Sequence, residues 1–189
     1  MTDTSHVLYR VGAVADCTAV ALLHAESWRR HYRGAYSDSY LNGDIVADRL
    51  EVWVDRMAQP RGDRCTIVAE TDGQLVGFVH TVLDADPLWG ALIDNLHVTA
   101  GLKRNGIGSA LLQEAARLVA GRKPSVGMFL WVLEQNIAAQ RFYAARGGAC
   151  VGHGLVAPPG GDPTRLAGHP TKLRYAWSAA APIFSEVTP

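Results

Sequence analysis

One short turn limits this chain more than any other stretch. Residues 101–112 read GLKRNGIGSALL. Two glycines, Gly106 and Gly108, sit one residue apart behind two cations, Lys103 and Arg104, and directly ahead of a helical pattern. Glycine weakens a helix start unless the backbone there must come close to something. The first turn of a helix carries N–H groups with no internal partner, and the helix dipole adds positive potential at that end. Without Cβ atoms at 106 and 108, an anion can reach those N–H groups, and Lys103 and Arg104 can add charge and donors.

Two common phosphate-binding patterns fail here. The P-loop requires GxxxxGK[ST]; Gly101 and Gly106 have the gap, but Ile107 and Gly108 follow. The dinucleotide fingerprint GxGxxG places its last small residue at 111, which is Leu. What remains is cation-x-x-Gly-x-Gly between a strand and a helix. An ordinary glycine-rich helix start with solvated cations accounts for the turn equally well when it is taken alone.

The flanking chain reads as one α/β unit. Hydrophobic residues make up 48%, enough for a buried core, and the 189 residues suit a single domain over 6–178 with tails at 1–5 and 179–189. HVLYRVG is expected to be a first strand. Asp16 is placed to cap a helix in which Ala19, Leu22, Leu23, Ala25 and Trp28 are apolar, interrupted near Gly34. Residues 37–59 suggest a short and a longer helix, closed by Pro60. CTIVAE and LVGFVHTV flank Asp72-Gly73 as a hairpin. DADPLWG is expected to be a loop and ALIDNLHV a strand. A helix runs from near Asn105 to about Ala120, with Ile107, Ala110, Leu111, Ala115 and Leu118 on one face. MFLWVL is a central strand, Asn136 caps a helix through Arg146 ended by Gly147 and Gly148, and ACVGHGLV and TKLRYAW are the last strands. The order predicts one mixed sheet, antiparallel and parallel in parts, between helices.

Composition excludes several classes. Lys plus Arg and Asp plus Glu both number 18, so no general attraction to nucleic acid or an anionic membrane is expected, and any anion site must be local. Cys17, Cys65 and Cys150 are odd in number and widely spaced, which fits neither a disulfide framework nor a metal site. MTDTSHVLYR lacks the pattern of a signal peptide, and no apolar run reaches the roughly 18 residues of a membrane span. A cytoplasmic protein is the expectation.

A second motif follows the turn. In LWVLEQNIAAQRFYAARGG, residues Asn136, Ala139, Phe142, Tyr143 and Gly147 form N-x2-A-x2-FY-x3-G. On a helix, 139 and 143 lie one above the other, and Phe142 lies about 100° around the axis from Tyr143. Phe142 is then expected to fill the core while Tyr143 points elsewhere.

Together the two motifs resemble the GNAT superfamily of acyl-CoA-dependent N-acyltransferases. LHVTAGLKRNGIGSALL looks like its pyrophosphate-binding segment, and the FY segment looks like the strand–helix that follows. The likeness covers about 67–151 well and extends weakly to ESWRRHYRGAYSDSYL. Two positions depart: Lys103 stands where Gln or Arg is usual, and Gly148 where Phe often follows the helix.

The resemblance implies a single domain of six to seven strands, mostly antiparallel, with helices on both faces, and acetyl-CoA as co-substrate without a metal. ALIDNLHV and MFLWVL would be two splayed strands admitting the pantetheine arm, with backbone partners at Leu96, His97 and Val98. Lys103, Arg104, Asn105, Gly106, Ile107, Gly108 and Ser109 would cradle the pyrophosphate. Asn136 would touch the arm or its thioester end, Ala139 would lie against the cofactor, and Tyr143 would sit beside the sulfur, to stabilise the leaving thiolate. An amine acceptor, of a small molecule by expectation, would need a base; Glu70, His80, Asp94 and His97 are candidates, with Asp94 first because it lies upstream on the splayed strand. Trp28, Tyr32 and Tyr36 would line the acceptor pocket, with Arg29, Arg30 and Arg33 on a solvated face. A homodimer is common in such a family. A CoA-binding domain that does not catalyse, and a different α/β nucleotide binder, remain as other readings.

Overall fold

A computed structural model describes residues 7–58, 61–123 and 126–178. Seven strands form one sheet in the order β1-β2-β3-β4-β5-β7-β6. They are β1 (Leu8–Val11), β2 (Arg64–Thr71), β3 (Gln74–Asp86), β4 (Gly90–Val98), β5 (Met128–Leu133), β6 (Ala149–Leu155) and β7 (Thr171–Trp177). Every neighbouring pair is antiparallel except β4 with β5. The helices are α1 (Cys17–His31), α2 (Asp38–Asn42), α3 (Ile45–Ala58), α4 (Ile107–Arg122) and α5 (Ile137–Ala144). The tails expected at 1–5 and 179–189, and the helix stop at Pro60, lie outside the described residues.

Alternation along β5 sets the two faces of the sheet. Met128, Leu130 and Val132 join Ile107, Leu111, Ala115 and Tyr143 in the larger core, under α4 and α5. Leu133 belongs instead to a cluster with Trp28, Tyr36, Leu41 and Ile45, on the face where α1 to α3 pack. Trp53, Val68 and Phe78 form a third cluster between α1, α3 and the first strands.

Local differences from the sequence reading have local causes. Asp16 is the N-cap residue of α1, but its carboxylate accepts from Ala13 N at 2.8 Å and from Arg10 rather than from the helix. Leu22, one of the apolar residues of α1, is 50% exposed. Helix α4 starts at Ile107, because Gly106 is left-handed, with φ of 79°. Helix α5 stops at Ala144, where Gly148 N returns to Tyr143 O at 3.0 Å. Residues 84–86, expected in a loop, prolong β3 as far as Asp86, which pairs with Gly90. At Gly148 a side chain has no room: a Cβ there falls 2.8 Å from Trp177 Cζ2, so the tryptophan fills the space a phenylalanine would need.

Candidate active site

The site begins where two strands part. β4 and β5 pair only through Ala91 with Met128 and Leu92 with Phe129. Glycine makes the closed end tight: Gly90 has φ of 82°, and a Cβ there would lie 2.2 Å from Gly127 O. Beyond Leu92 the edge of β4 facing β5 has no strand partner, so backbone groups of the segment holding Leu96, His97 and Val98 are left for another chain of donors and acceptors.

A bulge marks the middle of β4. His80 opposes Asn95 while Thr81 opposes Ile93, so Asp94 is the extra residue. It turns toward α3, where Arg56 Nη1 lies 2.8 Å from both Asp94 Oδ2 and Asn95 Oδ1.

At the open end stands the glycine turn. Arg104 and Gly106 both have positive φ, 74° and 79°. A left-handed arginine is strained, and such alternation makes adjacent N–H groups converge into an anion-binding nest. No side chain caps α4, and a Cβ at Gly106 would meet nothing within 4 Å, so the first-turn N–H groups of Ile107, Gly108 and Ser109 face open space. Arg146, which sequence reasoning missed, donates to Ser109 Oγ through Nε at 3.0 Å and Nη2 at 2.7 Å. It arrives from beyond α5, so only the fold brings it to the turn. Lys103 departs from expectation: its ammonium donates to His31 Nε2 at 2.8 Å, toward α1. The turn could therefore hold a diphosphate through its backbone N–H groups and Arg146.

On the far side of the gap, Asn136 caps α5 by accepting from Ala139 N at 3.2 Å. The expected division between Phe142 and Tyr143 is reversed. Tyr143 is the buried one, beside Tyr175 and Trp177, while Phe142 is half-buried against Gly108 and beneath Arg146. The register explains it: Ala139 and Tyr143 share the face that packs on the core. Burial, and secondarily the Tyr32 phenol, push Tyr143 well above the ordinary tyrosine range.

The aromatic residues of the first helix form a ladder rather than a helical stripe. Tyr32 ends α1, Gly34 turns with φ of 82°, and Tyr36 lies beyond it. Ring centroids are 5.3 Å apart for Trp28–Tyr32 and 4.9 Å for Tyr32–Tyr36 and Trp28–Tyr36. Trp28 and Tyr36 are buried in this packing, while Tyr32 is half-buried. Burial, then the nearby Asp94 carboxylate, raise Tyr32 to about 12. Arg29 is less free than expected, donating to Leu41 O at 3.0 Å.

The four base candidates separate clearly. Glu70 is bound by Arg10 at 2.8 Å at the β1–β2 edge, two strands from the gap, and is withdrawn. His80 is enclosed by Trp53 and Thr66, and burial, then the Arg56 charge, lower it to about 4. His97 packs under α1, its Nδ1 2.8 Å from Ser27 Oγ, and burial with the His31 and Lys103 charges lowers it to about 3. Its ring is thereby held against α1. Asp94 alone combines a carboxylate with a place on the open half of β4.

The model of the Acetyltransferase (GNAT) family matches residues 25–148. The chain belongs to the GNAT acetyltransferase family. It is 32% identical over 142 residues to the probable N-acetyltransferase Rv2775 of Mycobacterium tuberculosis, covering 74% of this chain and 78% of that one. Solved folds agree at lower identity. The PaiA N-acetyltransferase of Thermoplasma acidophilum, in complex with coenzyme A, matches with a TM-score of 0.66 at 20% identity, over 91% of this chain and 99% of that one. The yncA acetyltransferase of Salmonella typhimurium, with its cofactor acetyl-CoA, matches with a TM-score of 0.64 at 17% identity, over 94% and 96%. This GNAT chain has, among its described residues, no helix long and apolar enough to cross a membrane.

Proposed function

We propose that this acetyltransferase moves the acetyl group of acetyl-CoA to the primary amine of a small molecule, by direct attack on the thioester. One observation carries the reading: β4 and β5 pair through two residues each and then part, beside an uncapped helix N-terminus. That arrangement suits a diphosphate at residues 104–109 and Arg146, with a peptide-like arm along the unpartnered edge of β4. The relatives solved with coenzyme A and acetyl-CoA support the same co-substrate.

Attack requires a neutral amine. With an ordinary pKa of about 10.4, only about one alkyl amine in two thousand is neutral at pH 7. Asp94, on the bulge, is the group we assign to take the proton, through a water. The departing sulfur needs a donor, and Tyr143, kept neutral by burial, is one. Tyr143 and Tyr32 come from opposite faces of the sheet, yet the Tyr32 phenol is close enough to act on Tyr143, which suits a reaction centre inside the gap. Thiol release on mixing acetyl-CoA with a panel of amines tests the reading. Turnover with at least one small amine is expected; thiol release no faster than without protein, for every amine, overturns it.

A further inference from the structure

On the α1–α3 face, beyond the strands those helices cover, two cations lie on aromatic rings. Arg174 stands opposite Trp131 across β7 and β5. Its guanidinium carbon is 4.5 Å from the Trp131 centroid, 5.3 Å from that of Phe129 and 5.4 Å from that of Trp89. Lys172, two residues along β7, places Nζ 4.5 Å from the same Trp131 ring. Among the described residues neither cation is ion-paired with a carboxylate, and the buried Arg174 Nε has no hydrogen-bond partner. Burial and the Arg174 charge lower Lys172, as for neighbouring cations without a counter-ion. The acids within electrostatic reach are Asp86, whose side chain accepts from the Leu88 and Trp89 amides, and Asp94, paired with Arg56.

The neighbouring strand adds no side chain beside these cations. On β6, Gly152 faces Arg174 and Gly154 faces Lys172; a Cβ at Gly154 would sit 3.7 Å from Trp131 Cη2. Rings lie around the guanidinium while its Nε–H has no partner, which leaves a donor for a planar anion. Trp131 is two residues along β5 from Phe129, where β4 departs, so the cations stand roughly 7 Å along the strand from the mouth of the gap.

We propose that the acceptor carries a carboxylate or comparable oxyanion close to its amine, and that Arg174 and Lys172 receive that anion. The inference rests on the acetyl-transfer reading and names its substrate class. The amine then points toward Asp94 and the thioester while the anion stays on the Trp131 shelf.

The test compares amino acids with their carboxamides and their decarboxylated amines, and adds aminophosphonates to distinguish the two kinds of oxyanion. A charge-assisted hydrogen bond predicts that acids are favoured over amides by about 10- to 100-fold in kcat/KM, chiefly through acceptor KM. In Arg174→Gln and Lys172→Met that ratio falls toward one, while KM for acetyl-CoA moves less than about twofold, because the cations stand on β7 and not at the start of α4. Thermal melting shows whether each variant is folded, and the second substitution serves if the first is not. Equal use of acid and amide by the unsubstituted protein overturns the proposal and leaves acetyl transfer standing. So does a preference that survives both substitutions. If no amine accepts acetyl, the acetyl-transfer reading falls by itself. Calorimetry with the same carboxylates then decides the anion site: binding lost in Arg174→Gln supports it, and no binding to the unsubstituted protein overturns it.

Discussion

Arg56 Nη1 lies 2.8 Å from Asp94 Oδ2 and 2.8 Å from Asn95 Oδ1, so one guanidinium from α3 holds both polar side chains of the β4 bulge. The bulge is what sends two successive side chains to the same face; a regular strand would alternate them. The carboxylate is thereby fixed on the half of β4 that has no partner strand.

Asp94→Asn keeps the shape and the Arg56 contact but cannot take a proton. Loss of a general base predicts a fall in kcat of about 10²- to 10⁴-fold. Stability should change by only about 0–1 kcal/mol, because the ion pair is partly exposed. A variant retaining full kcat removes Asp94 from the chemistry.

Tyr143→Phe deletes only an oxygen. The ring packs beside Tyr175 and Trp177, so the fold should survive. As a donor to the departing sulfur, Tyr143 acts on the transition state more than on bound acetyl-CoA. Steady-state kinetics should show kcat falling far more than KM for acetyl-CoA rises. Because the folded-state pKa is raised above 10, the phenol remains a donor up to at least pH 10, and no alkaline limb below that value should belong to it. Unchanged kcat in the variant sinks this role.

Much of this was legible from residues 67–151. Asp72-Gly73 announced a hairpin and takes positive φ at both positions, and the run MFLWVL became β5 without change. Gly106 and Gly108 marked the nest because glycine spacing is a local signal. What escaped was set by tertiary contacts. Arg146 reaches Ser109 from a remote part of the chain, and Arg174 meets Trp131 only through β5–β7 pairing. Lys103 looked like a turn cation, yet His31 holds it. Phe142 and Tyr143 are adjacent aromatics, and composition cannot say which one the core takes. Asp94 was legible as an acid on a strand, but the bulge and Arg56 were not.

Acid should weaken the fold through histidines that packing keeps neutral, the fully buried His24 among them. His80 and His97 have folded-state values of about 4 and 3, both below the unfolded value of about 6.5. Above pH 6.5 neither state is charged, and stability is full. As pH falls from 6.5, the unfolded chain gains protons that the folded chain refuses, so stability declines until the folded rings titrate near 4 and 3. For His80, 1% exposed, the loss is on the order of 2–3 kcal/mol. Thermal unfolding between pH 7.5 and 4 should show the midpoint dropping below pH 6.5. His80→Gln should flatten part of that slope. A midpoint constant from pH 6.5 to 4.5 contradicts it.

The nest can be tested without touching the reaction centre. Gly106→Ala introduces a Cβ that meets nothing within 4 Å, so no clash is expected. It must still hold φ near 79°, at a conformational cost of about 1–2 kcal/mol, and it shades the N–H groups of Ile107 and Gly108 from an anion. Arg146→Ala leaves that backbone alone and removes a charge from the same place. Both variants should therefore raise KM for acetyl-CoA, whereas only Gly106→Ala should lower the melting temperature appreciably. Coenzyme A lacking its diphosphate separates the two parts of the site. If the nest holds that group, the truncated thioester is a poor substrate for the unsubstituted protein and is handled about equally by both variants. If Arg146→Ala instead weakens the truncated and full-length thioesters by the same factor, the arginine acts on the arm or on the fold, and the diphosphate is held elsewhere.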